Sequence, residues 1–111
     1  MNQITIEEFD RVRVCVGTVV AVKENRKARK PAYVVTLDFG EDIGQKTSSA
    51  QITALYTPEQ LLGRQLVCCV NLPPMHIGSA KSEVRILGAD TAEGVVLLSP
   101  DSPVPNGAVI F

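Results

Sequence analysis

Tryptophan is absent, and two tyrosines and three phenylalanines make up the whole aromatic content. A core must therefore come from Val, Leu and Ile, and those residue types favour strands over long helices. Cysteine is scarce and odd in number: Cys15, Cys68 and Cys69, with no C-x-x-C pair, and there is one histidine in the chain. No zinc site of ordinary spacing can be drawn from that set, and no metal or other cofactor is expected. Each cysteine lies among valines or leucines and reads as a small buried hydrophobe. Unpaired thiols suit a reducing compartment, so a cytoplasmic protein is expected. No apolar run approaches the roughly 18 residues that a membrane span needs, so no membrane insertion is expected. Met1-Asn2-Gln3-Ile4 does not open a basic stretch followed by an apolar one, and no secretory signal is expected. Nothing resembles G-x-S-x-G, a P-loop or G-x-G-x-x-G. The acid pairs Glu7-Glu8, Glu41-Asp42 and Asp90/Glu93 fall at turns or element ends, where carboxylates are usually solvated. The reading is of a binding module, not an enzyme.

What is present fits one domain spanning residues 1–111, with 45% apolar residues to build its core. Thr5 and Glu8 have capping-box spacing for a short helical turn through Asp10. Arg11 to Val22 reads as a long strand with a break at Gly17, where a bulge is expected. Ala32 to Phe39 alternates cleanly, with Tyr33, Val35, Leu37 and Phe39 on one side. Gln45 to Ile52 is a polar third strand. Thr57-Pro58-Glu59-Gln60 opens a capped short helix that Gly63 ends. Gln65 to Leu72 is a fourth strand, apolar on both sides, stopped by Pro73-Pro74. Ser82 to Leu87 is a fifth, followed by a turn into Val95 to Leu98 and an apolar end, Val109-Ile110-Phe111. Three strands, a short helix, then further strands is the order of an all-β OB-fold, a five-stranded Greek-key barrel with its helix between strands 3 and 4.

Charge is unevenly spread. The loop from Lys23 to Pro31 holds Lys23, Arg26, Lys27, Arg29 and Lys30, five of the 11 basic residues, against one acid, Glu24; it carries +4 and the rest of the chain −5. Such a loop attracts polyanions by releasing their counterions, and it lies between strands one and two, where OB-folds contact oligonucleotides. A solvated loop without a ligand would have the same composition. Ser48, Ser49 and Gln51 on the third strand can bond ribose, base edges or peptide backbone, or simply face water. The loop from Asn71 to Ser82 is the second loop that OB-folds use, and it brings Asn71, His76, Lys81 and Ser82 as further RNA contacts. His76 can stack on a base or lend a proton donor, although a lone histidine is usually structural or merely exposed. Met75 and Ile77 add apolar surface that either covers the barrel end or docks a polypeptide.

The segments V-R-V-C-V-G-T-V-V-A-V, R-K-P-A-Y-V-V-T-L-D-F-G, Y-T-P-E-Q-L-L-G-R-Q-L-V, N-L-P-P and K-S-E-V resemble the tRNA-binding domain family, whose members include the C-terminal domains of methionyl-tRNA synthetases. The resemblance runs from Phe9 to Phe111. Within the family the chain resembles the CsaA branch, the export-related chaperones: it has Ser49-Ala50-Gln51-Ile52 where the synthetase type reads V-S-G-I, and Ser82-Glu83-Val84-Arg85 where that type reads S-Q-G-M. The resemblance implies an OB-fold, a homodimer, binding of tRNA or structured RNA, and a chaperone role toward unfolded or exported polypeptides. Asn71 and Ser82 match positions the family keeps polar, and Arg26 to Lys30 match its basic first loop. Met75 and His76 stand where the family usually has basic residues, which removes up to two phosphate contacts and leaves a purely protein-binding dimer as the alternative. RNA and polypeptide binding can coexist, since basic loops and apolar clefts can occupy different faces. The doubly apolar fourth strand and the apolar tail are expected to need a partner subunit.

Overall fold

The computed structural model describes residues 1–111. A short helix α1 (Ile6–Asp10) precedes a long strand β1 (Val14–Glu24), followed by β2 (Tyr33–Asp38), β3 (Gln45–Ala50), helix α2 (Pro58–Leu61) and β4 (Gln65–Cys69). Then come β5 (Met75–Ile77), β6 (Ala80–Ser82), β7 (Arg85–Ile86), β8 (Gly88–Thr91), β9 (Gly94–Leu97) and β10 (Val109–Ile110). The main sheet runs β3-β2-β1-β4-β7, all antiparallel, with β10 added to the start of β1. β5–β6 and β8–β9 are separate hairpins. The two ends of the sheet meet where the Thr47 carbonyl accepts from the Glu83 N–H (2.7 Å) and the Val84 N–H (3.3 Å). The result is a nearly closed barrel with one short helix after its third strand, the expected OB-fold.

Both helices are nucleated by their caps. The Thr5 and Thr57 side chains accept from the N–H groups of Glu8 and Gln60, whose side chains in turn accept from the cap N–H groups. The core is built as composition requires. Tyr33, Val35, Leu37 and Phe39 from β2 and its end pack with Cys15, Val19, Leu66, Cys68 and Leu61. Burial, with Cys15 and Cys69 close by, pushes the Cys68 thiol up to about 12. It stays a neutral packing group at physiological pH, without nucleophilic character.

Several details differ from the sequence reading. β1 starts later and runs on to Glu24, because Lys23 and Glu24 pair with Val34 and Tyr33. Its irregularity lies between Val19 and Ala21, not at Gly17. Gly17 has another cause: a Cβ there would come within 2.7 Å of the Phe39 ring, so the missing side chain makes room for the largest core residue. The polar third strand opens one face, as expected, and covers the other. Ser48 is buried (2% exposed), and Ala50 and Ile52 also pack on the core; the odd-numbered Thr47, Ser49 and Gln51 face outward. The expected fifth strand is divided, with Ser82 closing a hairpin and only Arg85–Ile86 pairing β4. All four apolar residues Leu66 to Cys69 are buried within the chain itself, so β4 gives no reason for a second subunit. α1, by contrast, buries nothing; Ile6 and Phe9 are exposed, as are Val109, Ile110 and Phe111.

Glu83 fastens the barrel seam. Its Oε1 accepts from the Thr47 N–H (3.1 Å) and Thr47 hydroxyl (3.1 Å), and its Oε2 lies 3.9 Å from Lys46 Nζ. The Thr47 N–H bond leads in holding this carboxyl below the usual carboxylate range, against a smaller burial effect; the Thr47 hydroxyl, Lys46 and Lys81 add to it. A folded-state pKa below the unfolded one gives stability that is present above the ordinary glutamate value, about 4.3, and lost as pH falls through the folded value. Glu83→Gln is expected to lower stability by about 1 kcal/mol at neutral pH. The gap from the parent protein should close in urea titrations repeated below about pH 4.

Candidate nucleic-acid interface

The basic loop is anchored, not free. Asn25, at the end of β1, is buried (5% exposed), and its Nδ2 donates to the Ser49 Oγ (3.0 Å) and the Ile77 carbonyl (2.8 Å). Its backbone N–H donates to the Ala32 carbonyl (2.9 Å), and its carbonyl accepts from the Ala28 N–H (3.2 Å), which folds the loop back on itself. One buried amide thus joins the first loop, β3 and the β5–β6 hairpin. Gly78, at the hairpin turn, has φ +62°, and a Cβ there would come within 2.8 Å of Asn25 Oδ1 and of the Lys27 and Ala28 backbone. The loop rests directly on that glycine. Sequence reading missed Asn25, because a lone asparagine beside a run of cations carries no pattern.

Between these parts lies a depression of ≈ 450 Å³ lined by Lys27, Ala28, Arg29, Lys30, Ala32, Ser49, Gln51, His76, Ile77 and Gly78. Lys27, Arg29 and Lys30 form no ion pair, so the loop does not fold against the protein's own carboxylates. Arg26 alone has an acidic neighbour, Glu24, at 3.8 Å, with both side chains well exposed. Six residues expected to contact RNA from three separated segments therefore converge: Lys27, Arg29, Lys30, Ser49, Gln51 and His76.

Beside it runs a larger groove of ≈ 940 Å³. Met75 and Ile77, expected to hold polypeptide, lie on its wall with Leu72, Pro73, Ile86 and Val95, which sequence reading did not single out. Ser49, Gln51 and Ile77 belong to both cavities. The basic depression and the apolar groove thus share a wall rather than lying on separate faces.

Other expected contacts have different places. Ser48 lies on the groove's inner wall but is too buried to present a surface. The Ser82 Oγ accepts from the Ser49 N–H (3.0 Å) and so helps hold β6 to β3. Asn71 lines neither cavity. Its Nδ2 donates to the Arg11 carbonyl (2.7 Å) and its Oδ1 accepts from the Arg13 N–H (2.9 Å), which fixes the exit of α1. Its conformational role explains a polar residue there without RNA. Lys23, Arg26 and Lys81 are exposed and outside both linings; Lys81 sits opposite His76 on the hairpin. No helix is long and apolar enough to cross a membrane.

The tRNA binding domain family matches residues 14–109, which covers most of the chain. The chain belongs to the tRNA-binding domain family. A solved structure of the chaperone CsaA from Bacillus anthracis is 43% identical, with a TM-score of 0.91 over 99% of this chain and 100% of that one. CsaA from Picrophilus torridus is 41% identical, with a TM-score of 0.93 over 98% of this chain and 100% of that one. The methionine–tRNA ligase of Pyrococcus furiosus is 36% identical over 110 residues, 99% of this chain but only 15% of the ligase. This tRNA-binding domain thus resembles the whole of the CsaA chains and a small part of the synthetases. The domain is a non-catalytic RNA-binding one, so the chain is not an enzyme.

Proposed function

We propose that this tRNA-binding domain works as a CsaA-type homodimer that binds tRNA or similarly folded RNA and holds unfolded polypeptides, with a role in protein export in the cytoplasm. The observation that carries the RNA reading is the convergence of three unpaired cations with Ser49, Gln51 and His76 around one anchored depression. The loop cations supply most of the affinity, through counterion release, while the polar groups supply orientation. Lys23, Arg26 and Lys81 add outlying charge. The neighbouring groove, apolar along Leu72, Met75, Ile77 and Val95, suits side chains of an extended polypeptide, and the likeness to two chaperones supports that reading. The exposed apolar residues of α1 (Ile6, Phe9) and of the C-terminal segment (Val109, Ile110, Phe111) support dimerisation through these ends. Sedimentation of the purified protein at micromolar concentration is expected to give a dimer, and Phe9→Asp with Ile110→Asp a monomer. A parent protein that sediments as a monomer contradicts this part.

Because the two cavities share Ser49, Gln51 and Ile77, RNA and polypeptide are expected to compete on one subunit. A fluorescent unfolded polypeptide bound to the protein should be displaced by a tRNA transcript, with the apparent polypeptide affinity falling in proportion to RNA added above its Kd. A stable ternary complex at one site per subunit would contradict this arrangement. If RNA binds and no polypeptide does, the domain is an RNA-binding module alone. If polypeptide binds and RNA does not, it is the purely protein-binding dimer.

A further inference from the structure

We infer that the depression under the basic loop receives a single unpaired nucleotide turned out of a folded RNA, with its own and the flanking phosphates on the loop cations and its base against His76 and Gln51. This rests on the RNA-binding reading above and gives it a ligand. The size is decisive first. At ≈ 450 Å³ the depression lies in the range of small-ligand sites, roughly 300–1,000 Å³, and is far too small for a base-paired segment. A base inside a helix cannot reach its floor, whereas an unstacked one can.

The depression brings together three kinds of group. Lys27, Arg29 and Lys30 line it without acidic partners. His76 and Gln51 are also among the residues lining it, and neither side chain has a hydrogen-bond partner in the protein. The Ser49 Oγ accepts from Asn25 Nδ2, which leaves its O–H free to donate. Ala28, Ala32 and Ile77 give apolar surface between the polar groups. A planar heterocycle joined to a phosphate satisfies all of these: cations for the anion, an imidazole face for stacking, a carboxamide able to donate and accept at a base edge. A bare anion would leave Gln51 and the apolar surface unused, and an apolar side chain would strand the cations. An amide that serves as donor and acceptor accommodates more than one base, so the site should sense that a base is present more than which base it is.

The floor is preformed. Asn25 and Gly78 hold the loop on the hairpin, so the cations need not be ordered by the ligand.

The test uses the whole protein and a tRNA transcript in which the unpaired nucleotides are replaced, one at a time, by abasic ribose. One position is expected at which removal of the base weakens binding by roughly 5- to 150-fold, the range of one base–aromatic stack. In His76→Ala that position should become indifferent, while the slope of log K against log salt keeps its parent value because every phosphate contact remains. Gln51→Ala should reduce the same position effect in part. His76 and Gln51 are exposed, so both variants should melt with the parent protein. Salt-dependent binding that ignores every abasic replacement overturns the nucleotide site and leaves the RNA reading standing. An abasic effect that persists unchanged in His76→Ala also overturns it. Absence of any tRNA binding at low salt overturns both together.

Discussion

Replacing Lys27, Arg29 and Lys30 together by alanine is expected to weaken tRNA binding by roughly 10²–10³-fold at 0.1 M salt. The estimate follows from counterion release: each neutralised phosphate contributes about 0.9 to the slope of log K against log salt, so three lost contacts flatten it by about 2.7. These three are the cations that line the depression without an acidic neighbour. Arg26 already has Glu24 beside it, so Arg26→Ala should change affinity and slope by less than any one of the three. All four are exposed, and thermal melting should be unaffected. Titration of a tRNA transcript at several salt concentrations reads both quantities. An unchanged slope in the triple variant would remove the basic loop from the interface.

Gly78→Ala is expected to cut tRNA affinity about tenfold without altering a single charge, and to destabilise the fold by ~2–4 kcal/mol. Two penalties combine at this turn. The left-handed backbone, φ +62°, costs a side chain about 1–2 kcal/mol. The new Cβ would also stand 2.8 Å from the Ala28 N, the Lys27 carbonyl carbon and Asn25 Oδ1, and backbone atoms cannot rotate away. The loop must lift off the hairpin, and each cationic side chain then has to be ordered again on binding, at roughly 0.5–1.5 kcal/mol apiece. Gly63 supplies the control. It has φ +83° but nothing within 4 Å of its Cβ position, so Gly63→Ala should show the conformational penalty alone and leave RNA binding intact. At about 4–8 °C per kcal/mol for a domain of this size, differential scanning should separate the two variants easily. Equal effects of the two substitutions on RNA affinity would mean that the contact between loop and hairpin does not shape the site.

Where sequence and structure agree, local rules were enough. The two capping boxes at Thr5 and Thr57 depend on residues three apart, and the alternation of Tyr33, Val35, Leu37 and Phe39 depends on residues two apart. The relation to a known family extended this to the whole barrel. Where they disagree, the cause lies far along the chain. Gly17 is small because of Phe39, and Ser48 is buried because the even-numbered face of β3 packs on the core. Asn71 is occupied because the exit of α1, 58 and 60 residues earlier, hydrogen-bonds to it.

The amino-acid order by itself determined the all-β class, the helix after the third strand, and a cationic first loop on an acidic body. Those features depend on composition and on neighbours within a few residues, whose geometry the backbone imposes directly. Only the tertiary structure decided that Lys27, His76 and Gln51 stand around one depression, that it shares a wall with the apolar groove, and that a buried asparagine holds both in place. Those contacts join residues some 25 to 50 positions apart, and closure of the barrel alone brings them within hydrogen-bonding reach.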